Sequence, residues 1–373
     1  MHESVIEHFS VIPDTRQQSK VEHELIDMII LCIFGIICGA EGWKDIAFVG
    51  EARLDWFKER GLLKNGIPVD DTIARVISKI CPEQFQTCFI NWMSSVSKET
   101  RGKIIAVDGK RLRHSYDAKK KKSAIHMVSA FAVENGIVLG QIKTADKSNE
   151  ITAIPELLKL LDIEGSIVKI DAMGCQEKIA KTIVGQQADY VLAVKDNQKK
   201  LHEEIKDFYA TAKSYNFKNI QYEYTEEHNK GHGRIEARRY WLCQNLDCIG
   251  KKERWSGLKS IGLAESERTI NGKTTVEQRY FITSLSGNAK DFSEAIRRHW
   301  EIENRLHWVL DVTFKEDDSR ARRNNAAENL AVMRHVALNA IRNDETVKAG
   351  VKSKRYRAAL MPDYAEKLLN DLF

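Results

Sequence analysis

The chain has 373 residues, 43% of them hydrophobic, and only five prolines. Two or three structural units are expected at that length, and the composition is that of an ordinary globular protein with apolar mass enough for a core. A formal net charge of +5 is too mild to argue for a nucleic-acid partner by itself, so local clustering must carry that case.

Residues 1–95 read as a helical domain, with long apolar stripes and little strand alternation. The longest apolar run, Met28–Ala40, has thirteen residues, which suits a buried helix and is short for a membrane span. The N-terminus is polar and acidic, unlike a signal peptide. Pro68 predicts a turn, and DDTIARVISKI after it predicts a helix with an acidic first turn. Seven cysteines (Cys32, Cys38, Cys81, Cys88, Cys175, Cys243, Cys248) form no C-x-x-C pair and no zinc-finger spacing. They read as reduced, packed thiols of a cytoplasmic protein.

The pattern changes near residue 103. IIAVDGK (104–110) is a strand candidate, and SAIHMVSAFAVENGIVLGQIKTA reads as two strands joined at Glu134–Asn135–Gly136. NEITAIPELLKLLDI is an amphipathic helix with Pro155 near its first turn. SIVKIDAM, QEKIAKTIVGQQ and DYVLAVK follow as strand, helix and strand. The expected fold of 96–198 is therefore the first part of an α/β core with a mixed sheet. Residues 199–290 open with the helix KKLHEEIKDFYATA and continue through RIEARRYWLC, SIGLAESERTI and TTVEQRYFITSL. They read as a β-rich insertion. Residues 291–373 return to helical spacing in DFSEAIRRHWEIENRLHWVLDVTF and NNAAENLAVMRHVALNAIRND.

Two strands end alike, IIAVD at Asp108 and SIVKID at Asp171, 63 residues apart. In an open sheet, sites form at the carboxyl ends of parallel strands. Two aspartates meeting there repel unless a cation lies between them, and oxygen ligands favour magnesium or manganese. Either aspartate alone also fits a turn or helix cap. RRHWEIENRLHW supplies a third carboxylate: His299, Glu303 and His307 lie i, i+4, i+8 on one helix face, beside the apolar Ile302, Leu306, Val309 and Leu310. A solvated glutamate between two histidines, or a zinc site of unusual spacing, are the competing readings. From Arg101 to Lys122 nine Lys or Arg stand against two Asp, including KRLRH just after Asp108 and KKKK at 119–122. SRARRNN follows the Glu303 segment. A charge run is usually a solvated loop, but this placement also suits a phosphate backbone.

The order of elements resembles the RNase H-like core of DDE transposases, and the HW-x-IEN segment looks like the glutamate motif of insertion-sequence transposases with a β insertion before it. VDGK-x-LR (107–113), KSNEI (147–151), IDAMGCQ (170–176), DYVLAVKDNQ (189–198), HGRIEARRY (232–240) and residues 299–330 are similar to the H-repeat-associated, Rhs-element-linked group. The resemblance implies Asp108, Asp171 and Glu303 as catalytic residues and ligands of Mg2+ or Mn2+. Two ions roughly 3.5–4 Å apart would flank a scissile phosphodiester. It implies double-stranded DNA as partner, with terminal inverted repeats at the element ends, and a homo-oligomer acting on the nucleoid without a membrane. The wider family carries Tyr-x-x-Arg-x-x-x-Glu with a lysine seven residues on, where this chain has Ile296, His299 and Leu310. That departure leaves phosphate contacts to His299, Arg298, Arg305 or the segment holding Arg320, Arg322 and Arg323. Lys110, Arg111, Arg113, Lys195 and Arg234 complete the expected DNA-binding set. A nuclease without strand transfer, and a silent DNA-binding relative, are the rival functions.

Overall fold

The computed structural model describes residues 5–96, 103–116, 123–144, 150–231 and 233–370. The run KKKK at 119–122, most of KSNEI and His232 lie outside them.

Among the described residues, six α-helices come first: α1 (Val5–Ser10), α2 (Leu25–Ile37), α3 (Trp43–Ala52), α4 (Leu54–Glu59), α5 (Asp70–Ile77) and α6 (Pro82–Val96). The long apolar run falls largely in α2, which is buried on every side except at Ile26. A helix apolar all round must lie inside a protein or a membrane. Here it lies inside, and among the described residues no helix is long and apolar enough to cross a membrane.

The strands and helices of the centre follow as β1 (Ile104–Arg111), β2 (His126–Ala132), β3 (Ile137–Lys143), α7 (Glu150–Lys159), β4 (Ile167–Ile170), α8 (Glu177–Gly185) and β5 (Asp189–Val194). β1, β2 and β3 are antiparallel neighbours; β1, β4 and β5 run parallel. This is the RNase H-like order. Gly136, at φ +69°, closes the β2–β3 turn in a conformation that glycine adopts without a steric cost. Pro155 lies inside α7 rather than at its start.

Next come α9 (Lys199–Ser214), β6 (Tyr222–Gly231), β7 (Arg234–Cys243), β8 (Ser260–Ile270) and β9 (Lys273–Thr283). The sequence pattern missed β6. It is an edge strand with almost every residue exposed, so YEYTEEHNKG has no apolar face to alternate. The block is not a separate layer: β9 pairs antiparallel with β5, and one nine-stranded sheet runs β3-β2-β1-β4-β5-β9-β8-β7-β6.

The chain ends in α10 (Ala289–Arg298), α11 (Trp308–Thr313), α12 (Ala326–Asn343), α13 (Val351–Leu360) and α14 (Pro362–Asn370), the last two unannounced by the sequence pattern. Between α10 and α11 the helix widens into a π turn, Ile302–His307. Helix α12 is almost wholly buried. Its Asn339 side chain donates to the Val138 carbonyl and accepts from the Val138 amide, which satisfies that residue's backbone on the outer edge of β3. The first helices share this core: Arg355 of α13 donates to the Ile36 carbonyl, and one apolar cluster extends from Val5 to Leu369.

Candidate active site

Strand register builds the site. The parallel pairing of β1 with β4 ends at Val107 opposite Ile170. The next residues are Asp108 and Asp171, side by side where parallel strands lie about 4.8 Å apart. Asp108 is not at a strand end, as the sequence suggested: β1 continues to Arg111 by pairing with β2. What ends at Asp108 is the β1–β4 ladder. Asp171 begins a short 3-10 turn but its side chain caps nothing.

Glu303 stands opposite, on the π turn rather than on a regular α-helix. π turns lie disproportionately at functional sites. Asp108, Asp171 and Glu303 line one cleft of about 440 Å³ with Lys169, Lys195, Glu277, Arg279, Phe281, His299 and Trp300. The three predicted carboxylates are thus brought together.

Their environments differ. The Asp171 carboxyl accepts from His299 Nε2 at 3.1 Å, with Lys169 Nζ at 3.9 Å. The hydrogen bond from His299, helped by Lys169, holds it well below the usual carboxylate range. Burial pushes Asp108 the other way, against the pull of His307 and His299. An acid raised by burial and crowded by a second carboxylate is suited to a cation. Glu303 Oε2 lies 2.8 Å from His307 Nδ1, and His307 Nδ1 lies 3.8 Å from Asp108 Oδ2. Ligand atoms of Asp108, Glu303 and His307 all fall within 4.8 Å of one another.

Lys169 escaped the sequence reading. It is a lysine inside the apolar strand IVKI, buried, donating to the Ile170 carbonyl at 2.7 Å. Burial pushes it down to about 8. A charged residue in a four-residue apolar strand was the available signal.

The expected phosphate-binding cations separate into two groups. Lys110 points inward, held by Asp311 and by Glu316 at 2.6 Å, so it closes a buried ion cluster instead of facing a groove. Arg298 donates to Glu134 at 2.7 Å and Arg305 to Glu301 and to the Val133 carbonyl. Both tie the Glu303 segment to the β2–β3 turn. His299 is buried against Asp171. Arg322 donates to the His114 carbonyl and lies over the Tyr116 ring. Arg111, Lys195, Arg234 and Arg320 are exposed, as are Arg113, near Asp317, and Arg323, near Asp71.

An RNase H-like sheet bearing this chain of motifs is the architecture of the DDE transposases. Residues 99–340 match the family model "Transposase DDE domain", and residues 6–93 match "DDE_Tnp_1-associated". The chain belongs to the DDE transposase family. It is 46% identical over 370 residues to the H repeat-associated putative transposase YhhI of Escherichia coli (strain K12), across 98% of this chain and 97% of that one. It is 48% identical over 373 residues to the putative transposase YncI of Escherichia coli O157:H7, across 98% and 94%. A solved piggyBac transposase synaptic complex with hairpin DNA covers 99% of this chain and 78% of its own at TM-score 0.46 and 11% identity, a level that carries no argument. The family implies a divalent cation, and the oxygen-rich cleft fits one.

Proposed function

We propose that this protein cuts and joins DNA at the ends of an insertion element, with Asp108, Asp171 and Glu303 as the catalytic carboxylates and Mg2+ or Mn2+ as their cations. The observation that carries the reading is the register that sets Asp108 beside Asp171 at the end of the β1–β4 ladder, in one cleft with Glu303. Divalent cations supply, when bound, the Lewis acidity that activates water or a 3′-hydroxyl and stabilises the leaving oxygen. The protein's part is to hold the carboxylates at fixed spacing. His299 and Lys169 orient Asp171. Arg298 and Arg305 anchor the glutamate segment to the β2–β3 turn.

Lys195 and Arg279 on the cleft wall, with the exposed Arg111, Arg113, Arg234, Arg320 and Arg323, offer charge to the double-stranded DNA backbone. Terminal inverted repeats are the expected substrate ends, and two ends call for at least two copies of the chain, a homo-oligomer on DNA.

The test is an assay on DNA carrying candidate ends. Wild type with Mg2+ or Mn2+ should yield nicked and joined products. Asp108→Asn, Asp171→Asn and Glu303→Gln should each yield neither, and combining them should cost little more, since residues acting as one unit are not additive. Cleavage without any joined product would instead favour a nuclease. Wild-type cutting by Asp108→Asn would sink the reading.

A further inference from the structure

The acidic trio expected from the sequence is made of oxygens alone and lines one cleft. Within that cleft, among the described residues, it is the donor atoms of Asp108, Glu303 and His307 that come within 4.8 Å of one another. We propose that His307 joins Asp108 and Glu303 as a nitrogen ligand, through Nδ1, of one of the two cation positions. This rests on the active-site reading above and gives that site a cation preference.

The distances suit shared ligation. Metal–oxygen bonds of about 2.1 Å place neighbouring ligands of an octahedron roughly 3 Å apart and opposite ones roughly 4.2 Å apart. Nδ1 lies 2.8 Å from Glu303 Oε2 and 3.8 Å from Asp108 Oδ2. The wide turn of Ile302–His307 keeps residues 303 and 307 on one side of the helix, facing β1. Asp171 is engaged elsewhere, by His299, and its side chain remains 69% exposed, open to the second position.

The imidazole is placed for this. His307 is 3% exposed, fixed by packing. Its Nε2 is buried and has no hydrogen-bond partner among the described residues. Ligation through Nδ1 puts the ring proton on Nε2, where it is a buried donor without an acceptor among the described residues, a cost that the cation must offset. The competing role is that Nδ1–H only orients Glu303.

A nitrogen donor changes selectivity. Mg2+ and Ca2+ take oxygen ligands, whereas imidazole suits later first-row ions, and Mn2+ lies between. The site should therefore favour Mn2+ over Mg2+.

The experiment titrates the metal-free full chain with Mn2+ and with Mg2+ by calorimetry, and records the Mn2+ complex by pulsed electron paramagnetic resonance. Wild type should show a nitrogen coupling to Mn2+ and bind Mn2+ about tenfold or more tightly than Mg2+. His307→Asn keeps an oxygen donor. It should lose the coupling and about tenfold in Mn2+ affinity, with Mg2+ affinity changed much less. His307→Gln gives a second folded test if the first variant fails to melt cooperatively. A wild-type complex without nitrogen coupling, or a coupling that survives both substitutions, overturns the role of His307. Equal Mn2+ binding by wild type and Asp108→Asn would overturn the active site itself, a different result from the first two.

Discussion

Asp108 is costly to the metal-free protein. Its carboxyl is pushed up by burial, so the folded state holds the proton more tightly than the unfolded chain. That cost is absent below the unfolded pKa of about 3.9 and complete above the folded value. At neutral pH in a chelator, Asp108→Asn should therefore melt at or above wild type while losing metal-dependent cleavage. A lower melting temperature with cleavage intact would return Asp108 to a turn or cap. Lys110, two residues on, is the opposite case. Its ammonium lies between Asp311 and the buried Glu316, which also faces Arg334. Burial pushes Glu316 up, but Lys110 and Arg334 hold it down at about 2. A depressed acid contributes stability present above its unfolded pKa and lost as pH falls through the folded one. Acid denaturation followed by circular dichroism should show that loss between about pH 4.3 and pH 2. Lys110→Met leaves Asp311 without this ammonium and the buried Glu316 with Arg334 alone, and should cost about 3–5 kcal/mol in urea unfolding at neutral pH.

At the scale of elements, the site depends on how α10 lies across the sheet, because α10 runs straight into the Glu303 turn. Phe292 of α10 packs on Gly262 of β8, with the Phe281 ring 5.5 Å away, centroid to centroid. A Cβ at position 262 would run into the Phe292 ring. Gly262→Ala should therefore lift α10, lower stability by about 1–3 kcal/mol and reduce cleavage more than DNA binding. Equal unfolding midpoints for variant and wild type would show that the ring moves aside freely. On the other side of Asp108, Gly109 gives the same service to β1. A side chain there would meet Glu150 and His126, themselves paired at 2.6 Å. The glycine of the VDGK motif is a place of close approach, and β1 keeps its register because nothing protrudes from it.

Over the whole molecule, one core joins what the sequence divides into domains. Helices α2 and α12 are buried together, and Asn329 of α12 donates to the Ile77 and Ile80 carbonyls. The chain without residues 1–95 should lose its near-ultraviolet dichroism and aggregate, whereas the full chain should unfold in a single transition. Two independent transitions would show that residues 1–95 fold as a separate domain. The outer strands β6–β9 carry charge that is largely spent within the sheet: Arg238 pairs with Glu236, and Arg239 with Glu226, Glu265 and Glu267. Arg239→Glu should destabilise the protein with little effect on the salt dependence of DNA binding. Arg234→Glu, at an exposed position, should weaken DNA binding and flatten the logarithmic salt slope by about 0.9 if it contacts a phosphate. An unchanged slope would make the outer strands structural.

The sequence alone determined the elements whose pattern is local. Apolar runs marked β1, β4 and β5, the Asn-Gly turn marked the β2–β3 hairpin, and the all-apolar stretch in α2 marked a buried helix. Motif order was enough to point to the family, and Asp108, Asp171 and Glu303 were each legible as a carboxylate set against an apolar run. Other features depended on partners distant in the chain. Edge strand β6 has no buried face to betray it. The continuity of the outer strands with the core is a hydrogen-bond pairing between β5 and β9. Whether a cation such as Lys110 or Arg298 meets solvent or a carboxylate is decided by which side chains the fold sets opposite it, over 160 residues away in the chain for each. The same holds at the site. Residue types and spacing named the acids, but only the packed helix and the parallel register decided that His299 goes to Asp171 and His307 to Glu303 and Asp108, because a side chain's electrostatic partner is chosen by distance in space.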